Sequence, residues 1–184
     1  MEIHLIRHTP TEVSDEYYFG QSDVNLRLEW KDDFSKIQLD SNYSAVYTSP
    51  LKRCKELAEF FQFNYFEEPR MMEFIFGDWE MKKWDEIPPE QINPWYEDFI
   101  NVVPPNVEGL LQLQERVINF MEEIKTKHSA EKILIITHSG IIRLIWQYIL
   151  GFPIENMFRI QPQHGKKTII FYEHDLWKIT ALNI

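Results

Sequence analysis

The stretch ILIITHSGIIRLIWQYIL, residues 133–150, decides the fold. Ile133 to Thr137 is an unbroken apolar run of strand length, the mark of a central parallel strand covered on both faces. From Ser139 to Leu150 the pattern turns helical. Ser139, Arg143 and Gln147, spaced four apart, are its polar stripe, so the helix is nearly engulfed.

Outward from there the alternation continues. Residues 110–127 carry Leu110, Leu113, Val117, Phe120, Met121 and Ile124 at helical spacing. Residues 45–48 form a short strand closed by Ser49-Pro50, and 51–62 a helix burying Leu51, Cys54, Leu57, Ala58 and Phe61. At the start, MEIHLIRHTPT (1–11) puts Ile3, Leu5 and Ile6 in a brief buried strand, with His4 as a core histidine, and Thr9-Pro10-Thr11 ends it. Residues 26–37 are weakly helical, while 168–173 and 176–181 alternate as a terminal hairpin about His174-Asp175. Residues 81–109, with five prolines and Trp84, Trp95 and Tyr96, read as an insertion of short helices and loops. Strands alternating with helices predict a three-layer α/β/α sandwich about a mostly parallel sheet. One domain over 1–184 is expected, with 81–109 as a lid insertion.

At 184 residues, 44% hydrophobic and 15% aromatic, the chain can bury one sizeable core. Its apolar runs are too short to span a membrane, and Met-Glu-Ile at the start lacks the basic and apolar regions of a signal peptide. The single cysteine, Cys54, excludes an intrachain disulfide and fits a reducing, cytoplasmic setting. A net charge of −10 argues against nucleic acid or an acidic membrane as partner. A small anionic substrate is allowed where a few arginines converge.

The strand ends supply that convergence. The first strand delivers Arg7-His8, the central strand His138-Ser139 at a helix mouth, and the second Thr48-Ser49-Pro50 with Arg53 in the helix beyond. In a parallel sheet these ends share the edge where open α/β sheets keep their ligand crevices. Each residue alone has a plainer reading: Arg7-His8 as surface, His138 as a helix cap, Arg53 as a solvated helix residue. Two histidines and two arginines at one edge are harder to dismiss.

Four separated blocks, LIRHTPT (5–11), YTSPLKRCKELA (47–58), EFIFGDWE (73–80) and THSGIIR (137–143), together with GQSDVNL (20–26), resemble the histidine phosphatase superfamily and its phosphoglycerate mutase-like fold, in the family's order. The resemblance implies His8 as the nucleophile that takes up the phosphoryl group. It implies Arg7, Arg53 and His138 as the phosphate pocket, Glu73 as proton donor, and Ser14, Gly20, Gln21 and Ser139 as substrate contacts. Thr9 stands where the family usually has glycine, and Ser14 where many members have asparagine. Glu80, Glu12 and Asp78 are neighbouring carboxylates that compete for the acid role. His164, beside Gly165, either lines the pocket or sits in a loop.

The chemistry suits these residue types. A neutral imidazole is a competent nucleophile near pH 7. Phosphoryl transfer through a loose transition state asks for positioning and charge stabilisation, and arginine forks give both to non-bridging oxygens. A carboxyl group raised in pKa by burial or by the phosphate protonates the leaving alkoxide, then serves as base for water. No cofactor or metal is called for. HExxH spacing is absent among His4, His8 and His138, no glycine-rich phosphate loop is present, and Cys54 lacks a thiol-phosphatase motif. A phosphoglycerate mutase is the longer relative of such a hydrolase, and a non-catalytic phospholigand binder would be expected to lack His8 or Glu73. The stretch YYFGQSDVNL (17–26) after RHTPT resembles the α-ribazole-5′-phosphate phosphatases of cobalamin nucleotide-loop assembly. A sugar phosphate or a broad substrate range also fits. The rings of 81–109 serve either to stack a flat base or to anchor the insertion.

Overall fold

The structure, a computed structural model, describes residues 1–14 and 16–184. Its strands are β1 (Glu2–Arg7), β2 (Ala45–Thr48), β3 (Phe66–Glu67), β4 (Lys132–Thr137), β5 (Lys167–Glu173) and β6 (Leu176–Ala181), which form one sheet in the order β3-β2-β4-β1-β5-β6. β3, β2, β4 and β1 are parallel, and β5 and β6 add an antiparallel hairpin beside β1. The mostly parallel mixed sheet is the one the alternation predicts.

Side-chain alternation along β4 sorts the layers. Ile133 and Ile135 pack with α4 (Leu110–Lys127) and α5 (Ser139–Leu150). Leu134 and Ile136 face the opposite side, against α1 (Trp30–Ser35) and α2 (Lys52–Phe60). All four are fully buried, which is why the run carries no polar residue. The inward face of α4 is the predicted set from Leu110 to Ile124. The first helix is shorter than the pattern over 26–37 because Leu26 is held extended in a bridge with Thr11. β3 escapes sequence reading because its two residues are both exposed.

Within 81–109 lie a turn at Trp84–Glu86 and α3 (Pro89–Glu97). Tyr18, Trp79, Ile87 and Ile92 form a small separate core, against which Phe76 and Trp95 pack. That cluster fastens the segment over the carboxyl-end edge of the sheet.

At the opposite end of β1, His4 is buried between the Tyr43 hydroxyl (2.7 Å) and the Glu2 carboxylate (2.7 Å), as expected of a core histidine. The ligand atoms of Glu2, His4 and Asp40 lie within 4.8 Å of one another, a grouping invisible in the sequence. Lys132 Nζ already sits against it, 2.7 Å from Asp40 and 3.4 Å from Glu2. Among the described residues no helix is long and apolar enough to cross a membrane.

Because Ile135 is walled on both sides, Ile135→Ala should lower the free energy of unfolding by about 2–5 kcal/mol in urea titration. A loss under about 1 kcal/mol contradicts the central placement of β4.

Candidate active site

β1 and β4 run in register to Arg7 and Thr137, and the His8 N–H donates to the Thr137 carbonyl at 3.1 Å, one residue past the strand. The next residue of each chain segment is a histidine. His8 and His138 therefore lie side by side, ring centroids 5.2 Å apart, both buried. His8 Nδ1 lies 2.7 Å from the Thr9 carbonyl oxygen. A carbonyl only accepts, so Nδ1 carries the proton and Nε2 keeps its lone pair. Burial first, then the charges of Arg53, His164 and Arg7, hold His8 well below its ordinary value of 6.5. Burial, Arg53, His8 and Arg7 do the same to His138.

His138 Nε2 shares a 2.7 Å hydrogen bond with the Ser49 hydroxyl, so the turn that closes β2 fixes its ring. Cys54 Sγ packs 3.5 Å from the same nitrogen. Burial pushes the Cys54 thiol up to about 12, which leaves it the inert packer expected from sequence. His164 donates from Nδ1 to the His8 carbonyl (2.9 Å), its ring 5.3 Å from that of His8.

Arg53 is not a solvated helix residue. It is 1% exposed and donates to the carbonyls of Gly20 (2.7 Å) and Ser22 (2.9 Å). A Cβ on Gly20 would lie 1.7 Å from the Phe74 carbonyl oxygen, so a side chain there would push this loop off the arginine. Glu80 ties the loop down, accepting from the N–H groups of Gln21 (2.9 Å), Ser22 (2.9 Å) and Phe76 (3.0 Å). That buttressing job, not a place in the cavity, is what the structure gives Glu80. Arg7 donates to the Pro162 carbonyl at 2.8 Å. Carbonyls satisfy donors without cancelling charge, so these hydrogen bonds leave both guanidiniums positive.

Glu73 is held from four directions. Its carboxylate accepts from the N–H of Gly140 (3.0 Å) and of Phe74 (2.9 Å). Its carbonyl accepts from Gln21 Nε2 (3.0 Å) and Arg116 Nη2 (3.2 Å), and Arg116 is itself paired with Glu108. A Cβ on Gly140 would come 2.3 Å from Glu73 Oε1, so this position in the first turn of α5 has room for the carboxylate only as glycine. The rival carboxylates Glu12 and Asp78 bond instead to Asn25 and Asn106 at exposed sites.

Arg7, His8, Arg53, Glu73, Ser139 and Gly20 line one cavity of about 670 Å³. Its walls are largely aromatic, with Tyr18, Trp84, Trp95, Tyr96, Phe99 and Phe158 among them. Of the other residues picked from sequence, His138 and His164 flank His8, and Gln21 props the Glu73 backbone. None of these three lines the cavity. Ser14 is exposed and outside the lining, and its carbonyl accepts from the Tyr17 N–H. Thr9, at the family's usual glycine, is buried, with its Cγ2 against Gly165. Gly140 and Arg116 carry no local sign of their roles, because each acts on partners distant in sequence, and Arg143 reads only as part of the polar stripe of α5, although it lines the cavity.

The profile of the histidine phosphatase superfamily (branch 1) matches residues 3–184. Over 194 aligned residues the chain is 26% identical to the adenosylcobalamin/alpha-ribazole phosphatase of Escherichia coli K12, covering 100% of this chain and 96% of that one. It is 25% identical to phosphoserine phosphatase 1 of Hydrogenobacter thermophilus, with 100% and 92% covered. The crystal structure of the alpha-ribazole phosphatase from Shigella flexneri superposes with a TM-score of 0.91 at 25% identity, covering 100% of this chain and 96% of that one. The chain belongs to the histidine phosphatase superfamily and is an enzyme of the phosphatase class.

His4, His8 and His138 all titrate below their ordinary value of 6.5 when folded, so on acidification the unfolded chain takes up protons first. Their contribution to stability is present above pH 6.5 and is lost as the pH falls below it. The urea midpoint should therefore decline between pH 7 and pH 5.5. A midpoint flat or rising with acidification contradicts the burial of neutral histidines.

Proposed function

We propose that this phosphatase hydrolyses a phosphomonoester through a phosphohistidine on His8, with α-ribazole 5′-phosphate, in cobalamin nucleotide-loop assembly, as its substrate. The observation that carries the reading is the neutral His8 ring, its Nε2 unprotonated, beside Arg7 and Arg53 in an aromatic-walled cavity. In the first step Nε2 bonds to phosphorus, the ester P–O bond breaks, and Glu73 gives its proton to the departing alkoxide. Arg7, Arg53 and His138, whose ring lies beside that of His8, stabilise the transferring oxygens. In the second step water attacks the phosphohistidine, Glu73 takes the water's proton, and phosphate and free His8 are released. The guanidiniums supply the charge that a metal gives other phosphatases, so the reaction proceeds without one.

The substrate assignment is supported by end-to-end likeness to alpha-ribazole phosphatases and by a wall of rings suited to a flat base. Residues 81–109 act as the lid over a single domain: Trp84 and Tyr96, about half exposed, border the cavity, while Trp95 anchors. Phosphoserine is the second candidate, by the equally complete likeness to phosphoserine phosphatase 1. A buried, unpaired Cys54 agrees with work in the cytoplasm on a small phosphorylated metabolite.

Four outcomes test this reading. In a panel of phosphomonoesters, α-ribazole phosphate should show the highest kcat/KM, and exhaustive chelation should leave it unchanged. A clear preference for phosphoserine overturns the substrate, and loss on chelation restored by a divalent ion overturns the metal-free chemistry. His8→Ala should fold and be inactive, so wild-type turnover by the folded variant would sink the covalent route. Glu73→Gln should slow transfer from an alkyl phosphate by about a hundred- to ten-thousandfold, and much less from p-nitrophenyl phosphate, whose leaving group needs no proton. Equal slowing of both removes Glu73 from the acid role.

A further inference from the structure

Glu73 stands on a stretch of chain with no main-chain ladder of its own. Residues 73–76 belong to neither helix nor strand. Among the described residues, Glu73, Phe74 and Ile75 make no main-chain-to-main-chain hydrogen bond. A group that hands over a proton has to sit within about 0.5 Å of its working position, so something other than secondary structure must place this one.

Side chains from other elements do so. Thr137 Oγ1, at the end of β4, donates to the Met71 carbonyl at 2.8 Å. Arg116, on α4, spans the stretch with both terminal nitrogens. Its Nη1 donates to the Arg70 carbonyl at 2.5 Å and its Nη2 to the Glu73 carbonyl at 3.2 Å. The other edge of the guanidinium is taken by Glu108, with Nε 3.0 Å and Nη2 2.7 Å from its two carboxylate oxygens. That bidentate pair stops the planar group from turning, so the two carbonyls are held at a fixed spacing against α4. Arg116 is outside the cavity lining, so its donors serve the chain and not a substrate. The Glu73 carboxylate is meanwhile fastened to the N–H of Gly140 on α5. Main chain and side chain of the same residue are thus tied to two different helices.

We infer that Arg116 is the positioning residue of the proton donor: braced by Glu108, it sets where the Glu73 carboxyl meets the ester oxygen. A lysine cannot replace it, because one ammonium cannot span two carbonyls and pair side-on with a carboxylate. The inference rests on the reading of Glu73 as general acid and on no particular natural substrate.

The test compares transfer rates for p-nitrophenyl, phenyl and benzyl phosphate, whose leaving groups need a proton increasingly. Arg116→Met should slow benzyl phosphate by about ten- to a hundredfold and p-nitrophenyl phosphate by less than about threefold. In the Glu73→Gln background the same substitution should add less than about twofold, because the acid it places is already gone. Arg116→Lys, which keeps a charge against Glu108, should show the same selective loss, and it carries the comparison if Arg116→Met does not fold. Equal slowing of all three esters by a folded variant means a general structural role and overturns the inference. So does a loss that multiplies fully with Glu73→Gln, or an Arg116→Lys that keeps the wild-type dependence on leaving group. Failure of the underlying reading looks different, since Glu73→Gln alone would then slow all three esters equally.

Discussion

The register of β1 against β4 governs the site. Pairing from Glu2 with Lys132 to Arg7 with Thr137, extended by the His8 N–H to the Thr137 carbonyl, brings two residues 130 apart in sequence within one ring contact. A slip of one residue would turn Ile133 and Ile135 to the wrong helical layer and carry His8 out of line with the mouth of α5. Burial of the apolar run therefore fixes the register, and the register fixes the histidine pair. The same packing that stabilises the fold positions the chemistry.

Burial also decides what those histidines are. Sealed from water and placed among arginines, they stay neutral, and a main-chain carbonyl settles which nitrogen of His8 carries its proton. Arg53 is deeply buried and hydrogen-bonded to carbonyls rather than to a carboxylate, a costly arrangement that the phosphate dianion of the proposed reaction would relieve. Glu73 meets this charged floor through Gly140, so the first turn of α5 presents a hydroxyl, a carboxylate and, one turn on, a guanidinium along one wall.

Much of this is legible in the sequence, and the legible parts share a cause. The unbroken run 133–137 and the inward face of α4 are local patterns produced by burial, and their residue lists match the structure. In α5, Arg143 and Gln147 of the polar stripe are half-buried, while Ser139 is buried and Leu150 is exposed. His8, Arg7, Arg53 and His138 stand out because strand ends mark a common edge. What stays hidden is non-local. Nothing near Gly140 announces that Glu73, 67 positions earlier, needs the space of its missing Cβ. Glu80 competes with Glu73 on paper, and only the N–H groups around it reveal a buttress. Ser14 sits in a motif position yet lies exposed outside the cavity, because backbone path rather than spacing decides where its hydroxyl points.

The covalent step on one particular nitrogen is the central claim, and it is open to direct measurement. The enzyme is mixed with a phosphomonoester for milliseconds, quenched in base, which preserves phosphohistidine, and digested. The phosphopeptide is sequenced and the attachment atom assigned by phosphorus–nitrogen coupling in NMR. The account predicts phosphate on His8, bonded to Nε2, because Nδ1 is committed to the Thr9 carbonyl. Phosphate on Nδ1 of His8, on His138 or His164, or no phosphoenzyme during steady turnover would contradict it.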